Sequence, residues 1–312
     1  MTGPRLIFVN RFFFPDHSAT SQILSDLAFH LASKGAPVSV IASRGLYDDA
    51  QADLPAFEFK DGVDIHRVYK PRFGRSSLAG RAIDYLAMYG SFAAAAWRLA
   101  EPGDRLIVKT DPPLLSIALA PVARLKKLAF VNWLQDLYPE LALALGMRML
   151  APFAPLICAA QSASLKAAHR NVVLGERMQR RLETFGVSPG QIEIIANWCD
   201  DESIRPTPPS DNPLRSAWGL DDKFIIGYSG NLGRAHEYAT VLDAAEYLRM
   251  EQDIVFLFIG GGHLTQALRA EVERKALRQC FSFDPTSRRV DWRSRWAFPI
   301  RIGSRSCLRW KA

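Results

Sequence analysis

"IIGYSGNLGRAHEY", residues 225–238, decides how the chain is read: an apolar run enters a glycine loop and leaves into an amphipathic segment. The run before Gly227 is continuous, as a strand buried on both faces requires. Gly227, Gly230 and Gly233 let the backbone turn tightly and come close to a ligand. After the loop, Tyr238, Val241, Leu242, Ala245 and Leu248 fall on one helical face. Such a junction offers a phosphate the unpaired N–H groups of a helix start and the positive end of its dipole. Arg234 adds a bidentate, charge-assisted contact to a diphosphate. The alternative is a tight βα turn with a solvated arginine, and spacing alone leaves both open.

The same alternation extends towards the N-terminus. "LIFVN" (6–10), "VSVIAS" (38–43), "LIVKT" (106–110), "AFVNWL" (129–134), "NVVLG" (171–175) and "IEIIA" (192–196) read as strands, with helical segments between most of them. One of those segments puts Ile23, Leu24, Leu27, Ala28 and Leu31 on one face and stops at Gly35. Alternating β and α elements argue an α/β fold, a parallel sheet with helices on both faces. No glycine follows the first strand in "RFFFPDHSATSQ", which counts against a dinucleotide-binding fingerprint there.

The Pro-rich stretch "CDDESIRPTPPSDNPLRSAWGL" (199–220) reads as a crossing between domains. The expected organisation is a first domain at 1–198, a linker at 199–213, a second domain at 214–279 and an aperiodic basic tail at 280–312. The second domain repeats strand and helix with "FIIGYSG" (224–230), "IVFLFIGGG" (254–262) and "LTQALRAEVERKALRQ" (264–279). Its 66 residues make about two βα units. Doubly wound domains need on the order of 100 residues to cover both sheet faces, so this one reads as incomplete.

A hydrophobic content of 48% with 23% charged residues fits a globular chain rather than a disordered one. The net charge of +7 is uneven. Residues 280–312 hold eight basic and two acidic residues, a net of +6, which leaves +1 for the rest. That near-neutral body argues against nucleic acid as a partner. The opening run is short for a signal peptide and reads as a buried strand. The longest uncharged stretch, Met149–Leu165, is broken by Pro152 and Pro155 and does not suit a membrane span. Cys158, Cys199, Cys280 and Cys307 lack metal-type spacing and read as free thiols of a reducing cytoplasm.

"FFFPDHSATSQILSDLAFHLASKG", "NWLQDLYPE", "IEIIANWCDDESIRP" and "GYSGNLGRAHEYATVLDAAEYL" together resemble the retaining glycosyltransferases of family four. Among those they are most similar to bacterial enzymes that build exopolysaccharide and lipopolysaccharide, colanic-acid-type transferases included. The resemblance spans Arg5 to Gln279. It implies the GT-B architecture, two Rossmann-like doubly wound domains, here with the second incomplete. It also implies a nucleotide-sugar donor, a saccharide or lipid-linked acceptor, and neither cofactor nor metal, since basic side chains and helix ends stabilise the leaving diphosphate.

Carried over by motif, Gly230, Asn231, Gly233 and Arg234 line the donor diphosphate, and Ser18, Ala19, Thr20 and Ser21 stand where many relatives carry a glycine pair that meets the phosphates. Asp136 and Glu140 of "QDLYPE" are the catalytic candidates at a strand end; Asp136 either orients a sugar hydroxyl or caps a helix. His17 either bonds substrate or is a surface histidine. Residues 69–100 join a basic loop to an aromatic-rich helix, so the chain is expected in the cytoplasm, with peripheral contact at the membrane's inner face or an ordinary sheet-covering helix there. Relatives also carry two glutamates eight apart beneath the nucleotide-sugar, and residues 280–312 hold no Glu. The expectation is a shift of reading frame near codon 280 and an inactive chain; the alternative is a basic tail that docks on anionic lipid. A sugar-nucleotide epimerase of the same fold, or a non-catalytic binding remnant, are the rival functions.

Overall fold

Eight apolar runs of the first 198 residues form strands: β1 (Leu6–Val9), β2 (Val38–Ser43), β3 (Phe57–Lys60), β4 (Val63–Tyr69), β5 (Arg105–Lys109), β6 (Ala129–Trp133), β7 (Arg170–Val173) and β8 (Ile192–Ile194). The computed structural model describes residues 3–47, 49, 51–69, 78–140, 152–198, 208–233 and 236–284, with backbone alone at 78, 79, 81 and 82. The chain divides into two compact units, Met1–Trp198 and Cys199–Ala312.

In the first unit the strands form one sheet in the order β3-β4-β2-β1-β5-β6-β7-β8. All pairs are parallel except β3 with β4. Its helices are α1 (Ala19–Ser33), α2 (Leu78–Leu99), α3 (Leu115–Leu125), α4 (Ala154–Ala167) and α5 (Glu176–Thr184). Successive strand residues point to opposite faces. Ile7, Val9, Leu106 and Val108 therefore pack with Met88 and Phe92 of α2 and Leu115 and Leu119 of α3. On the other face Phe8, Val38, Val40 and Ala42 meet Leu24 and Ala28 of α1. This is the doubly wound arrangement that the periodicity implies, and Gly35 ends α1 at φ 84.

The hairpin β3–β4 is absent from the sequence reading. Asp61 (φ 47) and Gly62 (φ 82) form its two-residue turn, a conformation that Asp-Gly favours. Arg67 of β4 is 2% exposed and ties the hairpin down. Its guanidinium donates to Glu58 Oε2 at 2.8 Å and to Phe14 O at 2.7 Å.

The second unit holds β9 (Phe224–Ser229), β10 (Ile254–Ile259) and β11 (Phe281–Asp284), parallel in the order β11-β10-β9. Its helices are α6 (Pro213–Ala217), α7 (Ala239–Tyr247) and α8 (Thr265–Arg274). β11 corrects the expected start of the tail. Phe281–Asp284 pair in register with Phe256–Ile259, and Phe281 stacks on Phe256 at 5.3 Å. Regular structure thus continues past Cys280; four residues are too few for a period of two to stand out. The rest of the basic tail, 285–312, lies outside the described residues, as do 199–207 of the linker.

Two glycines let the loop after β10 press against the loop after β9. A Cβ on Gly260 (φ +120) would stand 2.3 Å from Gly230 O, and one on Gly262 (φ +137) 2.4 Å from Leu232 O. Gly260→Ala is expected to lower stability by roughly 1–3 kcal/mol or more in urea denaturation. Gly35→Ala, at φ +84 in open space, should cost only about 1–2 kcal/mol. Equal losses for the two variants would mean that the loops do not need to touch.

Candidate functional site

The register of the first sheet sets residues of three strand ends side by side. β1 pairs Val9 with Val108 of β5, and β5 pairs Lys109 with Trp133 of β6. The chain then continues into Asn10 and Arg11, into Thr110 and Asp111, and into Gln135 and Asp136. Open α/β sheets bind ligands at this edge, beyond the carboxyl ends of their strands. Arg11 N–H donates to Asp111 O at 2.6 Å, and Ser43 N–H to Arg11 O at 2.8 Å, so the ends of β5, β1 and β2 are linked. The Arg11 guanidinium lies 4.8 Å from the Phe12 ring centre and 5.9 Å from that of Tyr85. The buried Lys109 Nζ lies 3.8 Å from the Trp133 ring centre. Trp133 in turn stacks on Trp198 at 5.7 Å, and Gln135 and Asn197 exchange amide hydrogen bonds of 3.2 and 3.0 Å.

Burial moves the protons of this cluster. It pushes Asp111 up to about 6; Arg11 and Lys109 oppose the shift while Asp16 and Asp136 add to it. It pulls Lys109 down to about 7, against the attraction of Asp111. It raises Asp136, and it raises Tyr138, where Asp136, Tyr85 and Asp111 add to the effect. The chemistry available is that of acids with raised proton affinity beside two basic side chains.

The two acidic candidates part company. Asp136 stands at the rim of the recess that holds Lys109 and Tyr138, open to solvent on one side and desolvated on the other. Glu140 is turned to α5, where its Oε1 meets Arg181 Nη2 at 3.3 Å. Ser18 precedes α1; its N–H donates to Asp16 Oδ1 at 2.8 Å, and its buried Oγ meets no partner among the described residues. Asp16 Oδ2 accepts from Tyr47 N–H at 2.6 Å, which fixes the loop. Ala19 is exposed, Thr20 is half-buried, and both open the helix. Ser21 is fully buried and spends its hydroxyl on Asp16 O at 3.1 Å. His17 is exposed.

In the second unit Gly230 takes φ 153 at the end of β9. The loop's amides are largely turned inward: Gly230 N donates to Ile259 O, Leu232 N to Gly261 O and Gly233 N to Asn231 O, at 2.9, 2.7 and 2.9 Å. Asn231 O accepts from the Tyr228 hydroxyl at 3.1 Å. The first turn of α7 already meets an anion, because Glu237 accepts from Ala239 N–H and, at 3.1 Å, from Thr240 N–H. A hydrogen bond with the Thr240 side chain foremost, and then the two N–H bonds, hold the Glu237 carboxyl below its ordinary value. Arg234 lies outside the described residues.

The glycosyl transferase 4-like domain family matches residues 19–198, more than half of the chain and nearly all of the first unit. The chain belongs to this family. Among curated relatives, a probable glycosyltransferase of Pseudomonas aeruginosa, WbjE, is 24% identical over 64% of this chain and 50% of its own length. A putative colanic acid biosynthesis glycosyl transferase of Escherichia coli K12, WcaI, is 23% identical over 85% of this chain and 67% of its own. The matched region thus spans half of the first relative and about two thirds of the second. Solved structures of GT-B glycosyltransferases share the fold. Sucrose-phosphate synthase of Thermosynechococcus elongatus aligns with TM-score 0.68 at 14% identity, over 94% of this chain and 72% of that one. Anabaena HepE in complex with UDP and glucose aligns with TM-score 0.62 at 15% identity, over 93% and 71%.

Sequence reasoning missed Arg11, Lys109, Asp111 and Trp133. The signal was present: a lysine inside the apolar run "LIVKT", followed at once by an aspartate where the strand stops. The folded Lys109 loses its proton near 7 and the unfolded one near 10.5, so between those values the unfolded state holds the extra proton and stability rises with pH. Lys109→Met should therefore exceed the parent in stability at pH 7, with the gap closing as pH nears 10.5. Thermal unfolding across that range checks this; a gap independent of pH would show that burial does not perturb the amine.

Proposed function

We propose that the chain belongs to an enzyme that, in its intact form, transfers a sugar from a nucleotide-sugar to a saccharide or lipid-linked acceptor in cell-surface polysaccharide synthesis, with retention and without metal. The observation that carries this reading is the cluster of Arg11, Lys109, Asp111, Asp136 and Tyr138 at the strand ends of the first unit, of which residues 19–198 match a glycosyltransferase family. On this reading the first unit receives the acceptor, where Asp136 accepts a hydrogen bond from a sugar hydroxyl. The second unit receives the donor, as HepE, which shares the fold, is found with UDP. Gly230, Asn231, Gly233 and Arg234 would hold its diphosphate. Positive charge preorganised around the departing diphosphate lowers the barrier.

The three carboxylates Asp16, Asp111 and Asp136 also suit proton abstraction, which favours a second reading as a sugar-nucleotide epimerase. Calorimetry with UDP-, GDP- and dTDP-sugars, followed by product analysis with and without membrane lipid extract, separates the two. Transfer needs the acceptor and survives EDTA, whereas epimerisation proceeds without acceptor. Arg234→Ala is expected to weaken nucleoside-diphosphate binding by roughly 1.5–3 kcal/mol. Unchanged affinity would leave Arg234 a solvated turn residue. Asp136→Asn should lower transfer by about 10²-fold or more without changing UDP affinity.

Cytoplasmic placement agrees with the free thiols of Cys158 and Cys280. Among the described residues no helix is long and apolar enough to cross a membrane. Contact with a bilayer is peripheral on this reading, through α2, where Ile83, Leu86 and Trp97 are 49%, 69% and 47% exposed. The basic loop before α2 lies outside the described residues. Leu86→Asp should release the protein from vesicles of anionic lipid in a flotation assay, and equal flotation of parent and variant would remove α2 from the contact.

A further inference from the structure

Among the described residues of the first unit two large basic side chains are fully buried, Arg67 and Lys109. Arg67 is satisfied by a carboxylate and by carbonyl oxygens. Lys109 is different. Among the described residues its Nζ meets no hydrogen-bond acceptor, and it lies against the face of Trp133. A ring face attracts the charge but leaves N–H groups unused, and a buried cation without an oxygen partner is costly.

Lys109 lines a recess between the ends of β5 and β6 and the helices α3 and α4. Ser116 and Gln161 stand on its buried side, with Ser116 Oγ and Gln161 Oε1 3.4 Å apart and both residues 6% exposed. Asp136 and Tyr138 stand on its open side. The free space is close to that of a single water-sized group.

We infer that this recess takes one hydroxyl group of the saccharide acceptor, held by Lys109 and Gln161 within and by Asp136 at the mouth. The inference rests on the transfer reading and adds to it a specificity subsite with named residues. Size excludes a phosphate, and so does charge, since Asp16, Asp111 and Asp136 surround the same strand ends. A free cation is disfavoured by Lys109 and Arg11. A hydroxyl both accepts and donates, so it can take a hydrogen from Lys109 and give its own to Asp136. The depressed proton affinity of Lys109 suits such a partner, because the amine form can accept where the ammonium donates. The titratable groups Arg11, Asp16, Asp111, Asp136, Tyr85 and Tyr138 share these surroundings. A hydroxyl-binding site with buried polar groups rejects the deoxy sugar strongly, because the groups would be left unpaired.

The test uses the whole 312-residue chain carrying 13C at lysine Cε. It is titrated separately with methyl glycosides of glucose, galactose, mannose and rhamnose, with inorganic phosphate, and with UDP. At least one glycoside should shift the Lys109 resonance saturably, and phosphate should not. Ligand-observed NMR should then show that glycoside weakened about tenfold or more by Lys109→Met and by Gln161→Leu, the loss of one hydrogen bond to a buried charged or polar group. Should Lys109→Met fail to fold, Gln161→Leu alone decides. A shift with phosphate alone would overturn the inference in favour of an anion site. Binding of UDP with no response to any glycoside would overturn it and leave the transfer reading standing. Failure of both UDP and glycosides would overturn both.

Discussion

The 2.6 Å hydrogen bond from Arg11 N–H to Asp111 O closes the gap between two strand ends, and the candidate site depends on it. β1 and β5 are distant in sequence and adjacent in the sheet, and neither strand brings its charged residue to the other without that register. Beyond the last ladder pair the chains are free to diverge. The bond holds them together two residues past Val9 and three past Val108, where the side chains change from apolar to charged. β6 extends the same edge, with Trp133 beside Lys109, and Trp198 stacked on Trp133 returns the end of the unit to its middle. A change at any of the three strands would therefore reach the acids at once.

The two units differ in how well their sheets are covered. In the first, helices supply large apolar side chains to both faces, which is why a lysine and several acids can be held at its edge without loss of order. In the second, the described residues form three strands with one main cluster around Phe256, Leu242 and Leu268. Phe224 and Ile226 of β9 remain 59% and 38% exposed. Parallel sheets are stable when both faces are buried, and Ile226 pairs with Phe256, so these side chains mark the β9 end of the clustered face, which the described residues leave only partly covered.

Much of this was legible in the sequence because its signals are local. Short runs such as "VSVIAS", rich in β-branched residues, fit strands buried on both sides, and β2 is buried at all six positions. The face of α1 with Leu24 and Ala28 and the restart after the proline cluster were visible for the same reason. What escaped depends on distant partners. The hairpin β3–β4 sits on an edge, and its face pattern is weak because Phe57 and Phe59 are exposed. Lys109 looked like the end of an apolar strand, and only the arrival of β6 puts a tryptophan under its ammonium. Asp111 gains meaning only from Arg11, Asp16 and Asp136, which come from two other strand ends. Asp136 and Glu140, four residues apart, looked equivalent, and only the position of α5 separates the carboxylate held by Arg181 from the exposed one.

The glycine loop shows the same limit from the other side. Its spacing suggests backbone amides facing a phosphate, yet Gly230 and Leu232 direct theirs to carbonyls at and just after the end of β10, and that approach is what requires glycine at 260 and 262. At the start of α7 the amides of Ala239 and Thr240 meet the Glu237 carboxylate, so an arriving diphosphate would compete with a charge of its own sign. Glu237 is fully exposed, and its carboxylate can turn into water with little packing lost. For a nucleotide-sugar, the backbone therefore contributes less than the glycines imply, and the attraction must come from side chains. On the proposed reading, the weight of donor recognition would then fall less on the shape of the loop than on the cation that follows it in sequence, Arg234.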